Sequence, residues 1–423
     1  MGNILFASVP FSGHVHPAVP IADALIKKGH KIKWYSGTYF RNTIESVGAE
    51  FFPFIVPPDF NDGNIRDIFR EIPENNHARQ AIYYIKNIFF KPMNIYYEEL
   101  KKINEGFNAD IIVTDEWFSG AIPFAEKKEM KWVSYGNSPV MYVSKKYPGI
   151  GTGVMPDDSI YGRNRDNIIF YIQKAIFCRT QKFINKLRAE AGLPKLEDFF
   201  INHNYKLSSC YLKFNTVDFE FPVVNLPDSI KFVGPVIFDN ISESQFDWEK
   251  KIDKTRPLVF LTRGSHDLAD INKLIVPSIK ALNEMGIPAI VSTGGKPASV
   301  IPKELYYKDL IIEEYVPYSK IMPFTDMMIT NGGFGGVSTA LRFGVPLIVA
   351  GNSEDKPEIA SRVQYTGCGI NLRTGKPSVS QIKKAVRNII DNNSYRNVAR
   401  KISRSFLDKD AVKESVAFIE GLM

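Results

Sequence analysis

Cysteine is scarce in this chain, and nothing about its placement suggests structural work. The 3 cysteines, Cys178, Cys210 and Cys368, are far apart, odd in number and without a CxxC spacing. Neither a disulfide framework nor a zinc site is predicted, and a reducing, cytoplasmic setting is the expectation. Long basic runs and aromatic RNA-binding motifs are also missing, which argues against nucleic acid as a partner. The excess of 53 Lys+Arg over 46 Asp+Glu then suits an anionic small ligand or a membrane surface. The opening apolar run NILFASVP is too short for a bilayer span and lacks the basic flank of a secretory signal. Phe6 stands where a myristoylation signal on Gly2 needs Ser or Thr. A soluble protein with no integral membrane segment is expected, monomeric or weakly dimeric.

What is present is glycine in a cluster. The segment NGGFGGVSTALRFGVPLIVAGNSEDKPEIASRV, residues 331–363, places Gly332, Gly333, Gly335 and Gly336 directly before VSTALRF. Glycines let the backbone turn tightly and approach a ligand closely, and the helix predicted after them presents unpaired N–H groups and a partial positive charge. That combination binds an anion, here most simply a diphosphate. A buried strand and a second, acidic loop follow.

Around this segment, α and β patterns alternate in two blocks, so 423 residues predict an α/β protein of two or three domains. The first block reads as a strand Ile4–Val9, the loop PFSGHVHP, a helix from Ala18 to Lys28 closed by Gly29, and a strand Lys31–Ser36. This βαβ unit implies a parallel sheet. A further strand ends at Asp115, and Trp132–Tyr135 reads as another. Ligands collect at the carboxyl ends of such strands, which makes His14 and Asp115 candidates for one cleft. After the polar stretch IFDNISESQFDWEK the alternation restarts with strand Leu258–Leu261, helix Leu268–Met285, and strands at Ile287–Ser292, Leu310–Tyr315 and Met327–Thr330. The final helical stretches carry apolar residues on one face that must pack somewhere. Aromatic segments at 51–60, 81–97 and 161–178 do not alternate like strands. They read as helical core packing or as the wall of a hydrophobic pocket.

These blocks together resemble the family 1 glycosyltransferases, including the bacterial macrolide and flavonoid enzymes. SGHVHPAVPIADALIKKGHKIKWYS, FVGP at 232–235, Gly264-Ser265, and YVPYSKIMPFTDMMITNGGFGG followed by GVPLIVA and EDKPEIASRV are similar to the family's motifs in order and spacing. Four ordered blocks are specific where a glycine cluster alone is weak. The resemblance implies a GT-B fold, two facing Rossmann-like domains with parallel sheets and a C-terminal helix packing back on the N-terminal domain. It divides the chain into an acceptor domain 1–234, a linker 235–250, a nucleotide-sugar domain 251–400 and a terminal helix 401–423.

The resemblance also assigns roles. His14 falls on the catalytic base and Asp115 on the carboxylate that orients it, a pairing whose chemistry is sensible for an imidazole titrating near neutrality. Ser265, Asn331, Gly333, Gly335 and Gly336 fall on the diphosphate site, the backbone of Val316 on the uracil edge, and Asp355 and Lys356 on the sugar. Metal and cofactor are not expected; the UDP-sugar, UDP-glucose by resemblance, is a co-substrate and the acceptor a hydrophobic small molecule. The family has His at Asn331, Ser or Thr at Gly336, Glu at Thr339 and Gln at Lys356, so the donor-side chemistry departs from the pattern. His16, in the same loop, is the rival base; His266 is read as a solvated loop residue, His30 as structural, and His77 and His203 as having no constellation. Asp408-Lys409-Asp410 is read as a solvated tail rather than a metal motif. The alternatives are a nucleotide-sugar epimerase or hydrolase of the same fold, and a non-catalytic nucleotide-sugar-binding protein.

Overall fold

The computed structural model describes residues 1–423 apart from 75, 148, 223–225, 238–254 and 265–269. Its frame is two parallel sheets. The first holds β1 (Asn3–Ala7), β2 (Lys31–Ser36), β3 (Glu50–Pro53), β4 (Ile111–Asp115), β5 (Lys131–Gly136), β6 (Cys210–Lys213) and β7 (Ile230–Phe232), in the order β3-β2-β1-β4-β5-β6-β7. The second holds β8 (Val259–Thr262), β9 (Ala289–Ser292), β10 (Leu310–Glu313), β11 (Met327–Thr330), β12 (Leu347–Val349) and β13 (Gly369–Asn371), in the order β10-β9-β8-β11-β12-β13. Strands such as Ile111–Asp115 and Met327–Thr330 are buried throughout, as expected where helices cover both faces of a sheet.

The order reverses beside β1 in the first sheet and beside β8 in the second. β1 pairs with β2 on one side and β4 on the other, and β8 with β9 and β11. Crevices at such reversals are where parallel sheets bind ligands. The loops after β1, β4, β8 and β11 all open there.

Helices matter here where they position the site. α1 (Val19–Lys27) covers one face of the first sheet; α2 (Ile160–Ile176) and α3 (Cys178–Glu190) extend the N-terminal half. α4 (Phe334–Arg342) and α5 (Lys356–Thr366) belong to the second sheet. The last helix, α6 (Ala411–Leu422), returns to the first: Ala411, Val416 and Ile419 join Ile21 and Leu25 in its core. Glu420 receives Lys28 at 2.7 Å and His30 at 3.2 Å, so His30 is structural as the sequence suggested. The helix before it, Ser394–Leu407, still packs on the second core through Ala399, Ile402 and Phe406. The crossing is therefore the Asp408-Lys409-Asp410 turn, and Asp410 caps α6 through the Lys413 N–H at 3.0 Å.

Two sequence expectations give way. The helix predicted from Leu268 runs over Ile275–Glu284, because Pro277 has no N–H to give an earlier turn and fixes the helix start just before it; residues 268–269 lie outside the described residues. The segment at 51–60, read as non-strand, contributes β3, with Phe51 and Phe52 on an edge strand where Pro53 disturbs no ladder.

Candidate active site

The loop after β1 does not stay extended. Ser12–Val15 forms a helical turn and His16–Ala18 a second one, so His14 and His16, two positions apart on a helical path, leave the chain in different directions. His16 sits edge-on to Phe40, 5.7 Å between centroids, whereas His14 reaches β4. Its Nδ1 lies 2.7 Å from Asp115 Oδ1. Asp115, at the end of β4, is itself held by the Val9 N–H at 2.7 Å and the Trp117 N–H at 2.9 Å. Tyr135 donates to the His14 carbonyl at 2.8 Å, and Asp62 accepts from the Ser12 N–H at 2.8 Å. A carboxylate on Nδ1 leaves Nε2 as the ring's free lone pair.

Burial alone would lower the His14 pKa. Asp115, by charge and hydrogen bond, outweighs that, with Glu116 and Asp62 adding, and the result lies above the ordinary 6.5. Burial lowers the pKa of His16 instead, only partly offset by Asp62. The two histidines of one loop thus have opposite tendencies, and His14 is oriented by Asp115.

Aromatic rings converge on His14. Phe11 and Phe89 lie 5.5 and 6.2 Å from it by centroid, Phe89 stacks on Trp117 at 4.8 Å, and Phe11 meets Phe60 and Tyr84. The core reading of the aromatic segments holds for Phe54, Phe60, Phe89 and Tyr96, buried in one cluster with Tyr35, and of these Phe89 also contacts His14.

Across the cleft, Gly332 has φ +91, and a Cβ there would meet Val349 at 2.7 Å, so only glycine fits the turn out of β11. Gly333 is the N-cap of α4 with no side chain capping the helix, and the Cβ directions of Gly333 and Gly335 point into open space. Gly336 instead packs close to Tyr318 and Met328. Asn331 is buried, its amide oxygen facing Gly264 of the loop after β8. Ser265 and His266 lie outside the described residues. Val316 is buried, with exposed Tyr315 packed over Gly295. Thr339 turns its hydroxyl back to the Gly335 carbonyl at 2.8 Å.

The acidic loop begins α5. Asp355 sits at its N-cap, and burial raises its pKa to about 6, with Lys356 opposing and Glu354 and Glu116 reinforcing. Lys356 is buried and pairs with Glu354. Glu116 belongs to the first sheet, and Glu354 in turn acts on Tyr84, whose pKa is raised chiefly by burial. Charges of each half therefore act on groups of the other.

Sequence reasoning missed the residues that join the halves. Arg362, two turns along α5 from Asp355, is fully buried. It pairs with Glu220, with Glu358 at 3.1 Å, and with the Val140 carbonyl at 3.2 Å, and lies 4.2 Å from the Phe221 ring centre. Glu358 accepts both the Thr152 and Gly153 N–H groups at 3.0 Å. The only sequence signal was an i,i+4 Glu–Arg pair inside an otherwise buried helix. His203 was also misjudged: it joins Arg188 on Glu126, an ion cluster away from the cleft. Among the described residues no group of three or more His, Cys, Asp or Glu is placed to hold a metal.

The first half thus carries an imidazole held by a carboxylate, and the second an uncapped helix N-terminus. Known proteins of similar sequence and fold identify the family. The erythromycin biosynthesis protein CIII-like C-terminal domain matches residues 300–422. The 4'-demethylrebeccamycin synthase of Lentzea aerocolonigenes is 31% identical over 425 residues, spanning 100% of this chain and 99% of its own. UDP-glycosyltransferase 2 of Phaeomoniella chlamydospora is 23% identical, covering 99% and 95%. In fold, the chain is similar to the glycosyltransferase of kitacinnamycin, at 16% identity, TM-score 0.76 and coverage of 100% and 99%. The paired parallel sheets, the returning helix and these relatives place the chain in the family 1 glycosyltransferases of the macrolide type, as a GT-B enzyme using a nucleotide-sugar donor.

Proposed function

We propose that this enzyme is an inverting, metal-independent hexosyltransferase that moves glucose from UDP-glucose to a hydroxyl of a hydrophobic small molecule in the cytoplasm. The observation that carries the reading is His14 Nδ1 held 2.7 Å from Asp115 among aromatic rings. The acceptor hydroxyl gives its proton to His14 Nε2 while its oxygen attacks the anomeric carbon. The bond from that carbon to the diphosphate oxygen breaks, and the leaving charge falls on the first-turn N–H groups of α4 at Gly333, Gly335 and Gly336, with Asn331 and Ser265 as further donors. Asp355 and Lys356 hold the sugar, and the Val316 backbone the base. One displacement with an external base inverts the carbon.

Mass spectrometry of donor with a panel of phenols, sterols and macrolides tests this: an acceptor heavier by one hexose is expected, and donor hydrolysis or epimerisation without such a product would overturn it. A second reading of the donor rests on Thr339, whose hydroxyl donates to the Gly335 carbonyl and which brings no carboxylate to chelate a ribose diol. A thymidine diphosphate sugar, lacking the 2'-hydroxyl, loses nothing at such a site. Higher kcat/KM with it than with UDP-glucose, in parallel assays, would select that donor.

Asp355 gives a pH prediction. With its pKa near 6, the carboxylate loses its charge as pH falls through that value, and with it a charge-assisted hydrogen bond to a sugar hydroxyl. Donor affinity measured by calorimetry is expected to weaken below about pH 6 in the wild type. In Asp355→Asn it is expected to be about 10–100-fold weaker and flat with pH. A wild-type affinity flat down to pH 5 would remove Asp355 from the sugar site.

A further inference from the structure

The buried positions of α2 are Gly162, Asp166 and Gln173, with Phe170 packed beside them against the core; Asp166 is bonded to Arg165 at 2.8 Å and Gln173 donates to the Ile150 carbonyl at 2.6 Å. Beside the exposed Arg163, Asn164 and Lys174, its outer side carries four apolar residues: Ile168, Tyr171, Ile172 and Ile176 are 59%, 54%, 52% and 50% exposed. Their spacing of three, four and eight residues makes a single stripe along the helix. Single exposed apolar residues are ordinary, whereas a contiguous stripe on a helix that buries Asp166 and Gln173 marks a surface that is covered in use.

The charge around the stripe says by what. Between residues 159 and 189 the sequence has one carboxylate, Asp166, and it is the buried one. Apart from Arg188, buried on Glu126, the cations nearest the stripe stay outside: Lys174 and Arg179 are exposed, and Lys145 from the preceding loop lies 5.2 Å from the Tyr171 ring centre. An apolar stripe with a cationic rim is complementary to an anionic lipid surface, which takes the side chains into the headgroup boundary and the charges onto its phosphates. A second copy of this chain would meet that rim with the same sign of charge.

We propose that α2 docks this enzyme peripherally on an anionic bilayer, lying in the interface plane with Ile168, Tyr171, Ile172 and Ile176 inserted and Lys145, Lys174 and Arg179 on the headgroups. No described helix is long and apolar enough to cross a membrane, so the attachment is reversible and salt-sensitive. It sets the half that carries His14 beside the phase in which hydrophobic molecules dissolve. The docking itself does not depend on which acceptor is glycosylated.

Co-sedimentation of the full chain with phosphatidylcholine vesicles, with and without phosphatidylglycerol, tests it. The chain is expected to pellet with the anionic vesicles only, and to be released by salt. Lys174→Gln and Arg179→Gln each lower the partition about fivefold, as expected for one cation near such a surface. Ile168→Ser, Ile172→Ser and Ile176→Ser together abolish it, and because these side chains are exposed the melting temperature stays put. Equal pelleting without phosphatidylglycerol, or a partition unmoved by the charge variants, overturns the proposal. So does a dimer in sedimentation velocity that the triple variant converts to monomer, since the stripe would then be a contact between copies.

Discussion

His14→Ala is expected to lower kcat for transfer by about 10²–10⁴-fold, the span a positioned general base contributes, while nucleotide binding measured separately stays at the wild-type level. The two readouts divide because His14 lies in the loop after β1 and the proposed diphosphate site in the loop after β11. Asp115→Asn provides the finer test. With Asp115 in place the His14 pKa lies above 6.5, and the base must be neutral to act, so the rate is expected to fall as pH drops through a value above 6.5. Removing that carboxylate leaves burial as the dominant influence, so the limb moves to lower pH while the plateau rate also drops, because the Asn amide N–H can donate to Nδ1 and hold the imidazole in the tautomer protonated at Nε2. Full turnover by His14→Ala would end the assignment, and a limb that stays in place in Asp115→Asn would detach the carboxylate from the base.

The second large effect is expected far from any reacting atom. Arg362→Ala leaves Glu220 and Glu358 buried without their cation, and breaking such a pair from one side costs about 3–5 kcal/mol. A fall in melting temperature of several degrees or more is the expected reading. Arg362→Lys is expected to rescue little of it, since an ammonium cannot reach both carboxylates and stack on Phe221 as the guanidinium does. There is a functional arm as well. Glu358 holds the Thr152–Gly153 turn, so releasing it loosens the 140–153 loop, and acceptor KM is expected to rise more than donor KM. Unchanged melting and unchanged acceptor KM would show that the halves are joined by something else.

The fold was legible in the sequence wherever the periodicity was strong. The βαβ opening and the glycine-to-helix segment both carry patterns that only one arrangement satisfies, and the resemblance supplied the pairing of the halves. β6, β7 and β13 were not seen, because strands of three or four residues such as Gly369–Asn371 carry too little pattern to separate from loop. His14 and Asp115 could be joined as candidates because both follow strands of one sheet. The Glu220–Arg362 contact could not: its partners are 142 positions apart and sit in different halves, and nothing local marks either as buried. Nor could composition say which aromatic rings face the cleft and which fill the core, since both uses put the same residues in the same segments.

The return of α6 to the first sheet has a consequence for how the molecule is made. Lys28 and Glu420, which touch across this contact, are 392 positions apart, so the helix that completes the first core is synthesised long after the strands it covers. During translation Ile21, Leu25 and their neighbours wait with one flank bare, at the stage when N-terminal halves commonly fold as units. Chains truncated before Ala411 and released would therefore show a protease-sensitive first half beside a second half that has its own core. Clipping off α6 would injure the half bearing His14 while sparing the one that carries the glycine cluster.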